Sequence, residues 1–314
     1  MLQGVLLRLH LIMNDKANSY EKRNPSAVKR RISTGSIAIP FLITILISMV
    51  ILGGFGYYIY HRLTDDNHEI ADMPGAVTSI SENDIFQIFM VLQPDHPDRK
   101  PAAMLFRFDP LRKEEYCIGI PMTLQVEHND QKMTLQQCIE NYGVSFARDA
   151  VEIALDQEID RYIAMDSAGF QRVVTIFGNV SCVVTIHDDG LDPSDVSQML
   201  DHSQLEVLLT SNQYYSETER CTVIGQAISQ LINQANAKRI LLSLDGSFSA
   251  VVNATSNDLT AVDFTSHRHA LAYVLEHVTA PAKTTSLYGT EQDGVLILND
   301  SDLETLKLLF SQIS

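Results

Sequence analysis

The sequence predicts an α/β domain, a mixed central sheet with helices on both faces, preceded by one transmembrane helix. Two observations support this prediction. From residue 84 onward, short runs rich in apolar and aromatic residues alternate with runs of helical period. Before that point, residues 32–60 contain no ionisable side chain except tyrosine. A chain of 314 residues that is 45% hydrophobic is long enough to bury a sizeable core.

The uncharged segment predicts a membrane span. Its apolar centre, from Ile37, is longer than the roughly 20 residues that cross a bilayer as a helix. It ends in several tyrosines, which suit the membrane interface. A cleavable signal peptide is the alternative, but its apolar region would be about 7–15 residues and would end in small residues. We therefore expect residues 37–60 to span the membrane.

Charge is distributed unevenly on the two sides of this segment. Residues 1–62 hold eight Lys or Arg and two Asp or Glu, a net charge of +6. Because the whole chain carries −16, residues 63–314 carry −22. Basic flanks of a span stay in the cytoplasm. We therefore expect a cytoplasmic basic tail (1–36), a linker (61–82) and an extracytoplasmic domain (83–314), anchored in the cell membrane by a single pass.

The predicted domain starts with three apolar runs, at 84–93, 102–110 and 115–126, separated by polar turns. They predict successive strands joined by hairpins. Two segments of helical period follow, “TLQQCIENYG” and “SFARDAVEIALDQ”.

The stretch “RYIAMDSAGFQRVVTIFGNVSCVVTI”, residues 161–186, predicts a strand, a helix and a second strand. Asp166 is placed to cap the helix and Gly178 to end it. Such a unit can form a crossover in a sheet covered by helices, so we expect it to be scaffold. The remaining segments predict helices at 203–211, 217–236 and 259–278, a hairpin at 285–298, and a closing helix at 301–313 with Ser301 and Glu304 as its capping box.

Residue patterns alone identify no catalytic or metal site. H-E-x-x-H, G-x-S-x-G, the Walker loop and G-x-G-x-x-G do not occur in the sequence. His267 and His269 are two residues apart on a predicted helix and do not face each other, which disfavours a metal pair. Disulfides are permitted outside the membrane, and four cysteines allow three pairings, which stay open. They are Cys117, Cys138, Cys182 and Cys221.

The order of several segments resembles the LytR-CpsA-Psr family. The stretch “IDRYIAMDSAGFQRVVTIFGNVSCVVTI” is similar to the family's core strand, Gly-Phe helix and following strand. “NDIFQIFMVLQP” is similar to its “aDTillvsinP”, “IGIPMT” to its “lSIPRD”, and “QKMT…ENYG” to its “KiN…yGG”. The segment from “LDHSQ” to “LINQ” resembles its “RsR…RxxRQ” region, and the chain's end its closing hairpin and helix. The resemblance covers nearly the whole predicted domain.

The resemblance implies a transferase that moves an anionic glycopolymer from a polyprenyl-pyrophosphate carrier to peptidoglycan. Such a site needs arginines around the pyrophosphate and Mg²⁺ held by carboxylates. Asp84 matches the metal-side aspartate, which makes it a catalytic residue and the metal ligand, and Arg220 is the second catalytic residue. Lys132 is retained as a phosphate-binding residue. Arg107 and Arg148 match no family position, and we expect them to add to the phosphate site.

Other family positions lack their charge in this chain. Met122 and Thr123 stand where the family has Arg-Asp, residues 209–211 contain no arginine, and Val223 replaces the arginine after Arg220. Each charge-assisted contact is typically worth about 1.5–3 kcal/mol. Full family activity is therefore not expected.

Two functions remain open from the sequence. The favoured hypothesis is a non-catalytic protein of the bacterial cell envelope that binds a polyprenyl-linked glycan or another protein of the family. The alternative is a divergent transferase that needs Mg²⁺ and a rebuilt phosphate site. No nucleic-acid partner is expected, because the only basic segment is the membrane-proximal tail, whose true start is Met1 or Met13.

Overall fold

The structure, a computed structural model, describes residues 79–128 and 131–311. An antiparallel meander begins it: β1 (Phe86–Leu92) pairs with β2 (Ala102–Asp109), and β2 pairs with β3 (Glu114–Ile120). The short polar connections between the three apolar runs permit this arrangement. The prediction of hairpin-connected strands is confirmed for these runs.

Three more strands complete a six-stranded sheet. β6 (Arg161–Met165) lies parallel to β1, β9 (Ser256–Asn257) lies antiparallel to β6, and β10 (Ala282–Thr284) lies parallel to β3. The strand order is β10-β3-β2-β1-β6-β9. The predicted mixed central sheet is confirmed.

Helices cover both faces of this sheet. Successive side chains along a strand point to opposite faces, and both sets are apolar here. Along β2, Ala103 and Leu105 belong to one hydrophobic cluster, and Ala102 and Met104 to the other. The helices are α1 (Leu135–Tyr142), α2 (Val144–Leu155), α3 (Ser167–Phe177), α4 (His202–Thr210), α5 (Glu217–Gln234), α6 (Ala237–Leu242), α7 (Leu244–Ala254), α8 (Ala261–His277) and α9 (Asp300–Ser311). α1, α2 and α9 pack on the first face, and α3, α4 and α5 on the second.

The structure corrects two expectations about strands. The third predicted strand breaks at Pro121, and its second half forms β4 (Gln125–His128), which pairs with β5 (Gln131–Thr134). The predicted crossover from β6 was wrong: β7 (Val180–Val184) pairs with β8 (Ser194–Leu200) in a separate hairpin. The place beside β6 is taken by the two-residue strand β9.

Residue patterns at helix ends predicted most of the caps described next. Asp166 caps α3, because its Oδ1 accepts a hydrogen bond of 2.6 Å from the Gly169 amide, and Gly178 follows the helix with φ +106°. The cap of α9 differs from the prediction, since Asn299 Oδ1 accepts from the Asp302 amide at 3.1 Å. The closing hairpin of β11 (Thr290–Gln292) and β12 (Val295–Ile297) is confirmed.

The four cysteines are free thiols and buried. Burial raises the pKa of each, to about 11 for Cys182. In the described ranges no helix is long and apolar enough to cross a membrane. The predicted tail (1–36), span (37–60) and most of the linker lie outside those ranges.

Candidate functional site

An apolar cavity of about 370 Å³ lies against the second face of the sheet. Met90 and Phe106 from β1 and β2 contribute its floor, while Phe170, Ile228 and Phe248 from α3, α5 and α7 contribute its walls. The segment 161–186, predicted to be scaffold, therefore supplies part of the lining. A cavity of this size and lining suits a hydrocarbon chain, which it would remove from water.

Few polar side chains line this apolar cavity, and most of them are already paired. Asp263 Oδ1 accepts a 2.8 Å hydrogen bond from Arg161 Nη2, and Arg268 Nη2 donates to Asp245 Oδ2 at 3.0 Å. His267 Nδ1 lies 2.8 Å from the Asp263 carbonyl oxygen. Glu115 is the acidic residue of the lining without such a partner among the described residues.

Arg220 lies at the end of the sheet where β3 finishes, and its side chain is 1% exposed. Its Nη1 donates to the carbonyl oxygens of Pro101 and Leu209, at 2.9 and 3.1 Å. Its Nε and Nη2 donate to the two carboxylate oxygens of Glu217, at 3.1 and 2.5 Å. Arg220 therefore has a bidentate anionic partner within its own helix.

Glu217 occupies the position in which a bound anion would meet this arginine. Besides the two bonds from Arg220, its Oε1 accepts a 3.0 Å hydrogen bond from the Met122 amide, in the segment similar to “lSIPRD”. Burial would raise the pKa of Glu217, but the hydrogen bonds and charge of Arg220 outweigh burial, and its pKa is lowered. The carboxylate is therefore ionised at neutral pH and neutralises Arg220.

A second arginine, Arg99, lies at the same end of the sheet and was not among the predicted site residues. Its Nη1 donates to Asp188 Oδ2 at 2.5 Å, and its Nη2 to Asp189 Oδ2 at 3.1 Å. Ser211, in the region similar to “RsR”, donates its hydroxyl to the same Asp188 oxygen at 2.5 Å. We call Arg99, the exposed Lys100 and Arg220 the cationic cluster.

Sequence alone gives a weak signal for Arg99, because the arginine and its carboxylate partners are about 90 residues apart. The chain brings the 98–101 loop against the end of α4 by bonds between Lys100 N and the Thr210 carbonyl, 2.8 Å, and between Asn212 Nδ2 and the Asp98 carbonyl, 3.1 Å.

Asp84 lies at the opposite end of the sheet from Arg220. It precedes β1, whose first residue, Phe86, pairs with Phe108 near the end of β2, whereas Arg220 binds Pro101, just before β2 begins. Nearly the full length of β2 separates the two, which is roughly 20 Å at about 3.3 Å per residue. The structure does not bring the two predicted catalytic residues together.

The surroundings of Asp84 are those of a turn. Its Oδ2 accepts hydrogen bonds from the Ser81 amide and hydroxyl, at 2.8 and 3.2 Å, and its Oδ1 lies 3.3 Å from His269 Nε2. Within the described part of the chain, no three His, Cys, Asp or Glu side chains gather into a metal site. The Mg²⁺ that the resemblance implies stays a prediction.

The three predicted phosphate-binding residues are dispersed. Arg107 points to the face of the sheet away from the apolar cavity, where its guanidinium lies 4.5 Å from the centre of the Phe310 ring. Burial lowers its pKa. Arg148 Nη2 pairs with Asp149 Oδ1 at 2.5 Å, and Lys132 is exposed on β5. A phosphate-binding role for each stays a prediction.

No family model matches the chain, and no curated protein sequence matches it. Its fold is similar to solved structures of low identity. A proposed transcription regulator from Eubacterium siraeum is 17% identical, with a TM-score of 0.65 over 76% of this chain and 97% of that one. TagV of B. subtilis is 16% identical, at 0.57 over 72% and 95%. TagT bound to LI-WTA is 16% identical, at 0.53 over 74% and 92%.

Proposed function

We propose that this chain is a LytR-CpsA-Psr-like protein of the bacterial cell envelope, anchored in the membrane, which holds a polyprenyl-linked glycan by its lipid chain and does not catalyse transfer. The observation that carries the proposal is the apolar cavity, whose lining suits a long hydrocarbon. The fold shared with TagT, TagU and TagV, which belong to that family, supports the family part of the proposal.

The non-catalytic part rests on the cationic cluster. Arg220 is neutralised by Glu217, and Arg99 by Asp188 and Asp189. A pyrophosphate would have to displace these carboxylates and leave them without a partner at the same end of the sheet. Two anions that share one guanidinium repel each other, so the cluster favours the carboxylates already present.

The alternative, a divergent transferase, is favoured by one observation: Arg99, Lys100 and Arg220 gather at one end of the sheet. It would need Glu217 and Asp188 to turn away when substrate binds. Pyrophosphate release from a polyprenyl-linked glycan, measured with and without Mg²⁺, distinguishes the two. We expect no release, and metal-dependent release that Arg220→Lys abolishes would establish the transferase.

The first experiment is mass spectrometry of lipid that co-purifies with the full-length protein after detergent extraction from its native membrane. We expect a polyprenyl phosphate or pyrophosphate, bare or glycan-linked. If only bulk phospholipid is found, the lipid proposal is wrong, and a protein partner from the same family becomes the better hypothesis.

A cavity-filling variant gives this experiment its control. Ile228→Trp places an indole in the apolar cavity and should remove the co-purified polyprenyl lipid. Val262→Trp adds the same group on α8 at a side chain that is 73% exposed, and should leave the lipid in place. Equal thermal stability of both variants shows that lipid loss does not come from unfolding.

A further inference from the structure

Glu115 is an isolated acidic side chain in the lining of the apolar cavity. It is 5% exposed, lies on β3, and its neighbours across the sheet are Phe108 on β2 and Ala282 on β10. Its amide donates to the Pro281 carbonyl at 2.9 Å. In the described part of the chain its carboxyl group has no hydrogen bond and no ion pair, although buried carboxylates are normally paired.

The charged groups on the elements around Glu115 are directed elsewhere. On β2, Arg107 and Asp109 pair with each other on the other face of the sheet. On β10, Lys283 pairs with Glu114. On α8, His267 contacts Phe86, Arg268 pairs with Asp245, and His277 stacks on Tyr273. On the same face of β3, the nearest titratable residue is Cys117, whose pKa is raised by burial and by the Glu115 charge.

Burial alone raises the pKa of Glu115, to about 7. While the cavity holds no lipid, water can still reach it and partly hydrate an ionised carboxylate. A hydrocarbon chain that displaces this water leaves an ionised carboxylate with neither water nor a cation, which costs far more than burying the neutral acid. Occupancy by an uncharged chain therefore favours the protonated form.

We propose that the apolar cavity binds an uncharged lipid chain together with one proton, which Glu115 takes up. The proposal rests on the proposed function in one respect, that a lipid chain fills the cavity. It adds that Glu115 sets the pH range of binding and selects chains that bring no anion to this part of the cavity.

The test uses radiolabelled polyprenol, because this probe has no phosphate whose own titration could mimic the effect. Full-length protein is immobilised at pH 6 in non-ionic detergent. It is then equilibrated with the radiolabelled polyprenol at pH 6 or pH 9, and the bound label is counted. Linkage of one proton lowers affinity by up to about tenfold for each pH unit between the pKa of Glu115 in the empty cavity and its higher pKa in the filled cavity. We expect at least tenfold weaker binding at pH 9 than at pH 6.

Two variants make the result specific. Glu115→Gln keeps the shape of the side chain but cannot ionise, so its affinity should be equal at the two pH values. Glu291→Gln removes an exposed carboxylate on β11 and should retain the pH dependence of the natural chain. Binding that is independent of pH in the natural chain, or that weakens equally in Glu115→Gln, overturns the inference. If neither protein binds polyprenol at pH 6, the proposed function fails as well.

Discussion

At the scale of single residues, Glu217 and Arg220 combine a structural and a functional role. Their bidentate pair is almost fully buried, with side chains 15% and 1% exposed. Removal of one partner from a buried pair leaves an uncompensated charge, which typically costs about 3–5 kcal/mol. The pair that would exclude a phosphate from Arg220 is therefore also one that the fold needs.

We expect Glu217→Ala to lower the free energy of unfolding by about 3 kcal/mol, because Arg220 keeps its burial and loses its carboxylate. Urea denaturation at neutral pH measures the change. Glu291→Ala, on the exposed hairpin, should change stability by less than about 0.5 kcal/mol. A similarly small loss in Glu217→Ala would mean that Arg220 reaches solvent or finds another anion.

Glu115 predicts a pH dependence of stability. Its pKa is about 7 in the folded state and 4.5 ordinarily, so the folded state binds the proton more tightly. Stability from this residue is present below pH 4.5 and is lost as pH rises through 7. Because Gln does not titrate, we expect the stability of Glu115→Gln relative to the natural chain to be about 2–3 kcal/mol greater at pH 8 than at pH 5. Denaturation of both proteins at the two pH values measures this difference in stability. The same difference at pH 5 and pH 8 would show that Glu115 is hydrated.

Residue roles that depend on near neighbours were predictable from the sequence, and those that depend on the tertiary fold were not. The Asp166 cap needs only an amide three residues away. The pairing of Arg99 with Asp188 depends on where two loops meet, and so does the separation of Asp84 from Arg220. Family motifs gave the residue types but not the ends of the sheet on which they lie.

At the scale of secondary structure, the contact of α5 with the sheet sets the geometry around the cavity. Gly225 allows the close approach: a Cβ there would lie 2.2 Å from Thr284 Oγ1 and 2.8 Å from the Cys117 carbonyl oxygen. Thr284 cannot turn away freely, because its hydroxyl donates to that same carbonyl at 2.8 Å.

We therefore expect Gly225→Ala to destabilise the protein by about 1–3 kcal/mol through overpacking. Gly246→Ala, in α7, is the matched control, since a Cβ there meets nothing within 4 Å. That change should stabilise the protein by about 0.5–1 kcal/mol, because alanine favours a helix more than glycine does. Thermal melts compare the two variants, and the same sign for both would contradict the close approach of α5.

The secondary structure of two elements, α7 and β8, is only weakly indicated by their sequences. The segment of α7, “LDGSFSAVVNA”, contains glycine, serines and valines, all weaker helix formers than alanine. β8 is mostly polar and exposed, so it lacks the apolar pattern of a strand. Both elements are fixed by tertiary contacts, and the apolar cavity, which α7 helps to enclose, could not be predicted from its separate parts.

At the scale of the whole molecule, the fold class followed from the alternation of helical and strand patterns, whereas the membrane topology is still a prediction. The division of charge, +6 against −22, predicts that residues 1–36 lie in the cytoplasm. Protease added to intact spheroplasts should digest residues 83–314 and leave an epitope on the tail protected. Digestion of the tail in intact spheroplasts would show that the topology is the opposite of the predicted one.

The four buried thiols make the domain its own reporter of transient opening. A thiol reacts as its thiolate, and burial raises the pKa of each one, so alkylating reagents should not modify the closed state. Each cysteine belongs to a different element: Cys117 to β3, Cys138 to α1, Cys182 to β7 and Cys221 to α5. The order in which they become labelled therefore records which parts of the domain open first and which open only when the whole fold is lost.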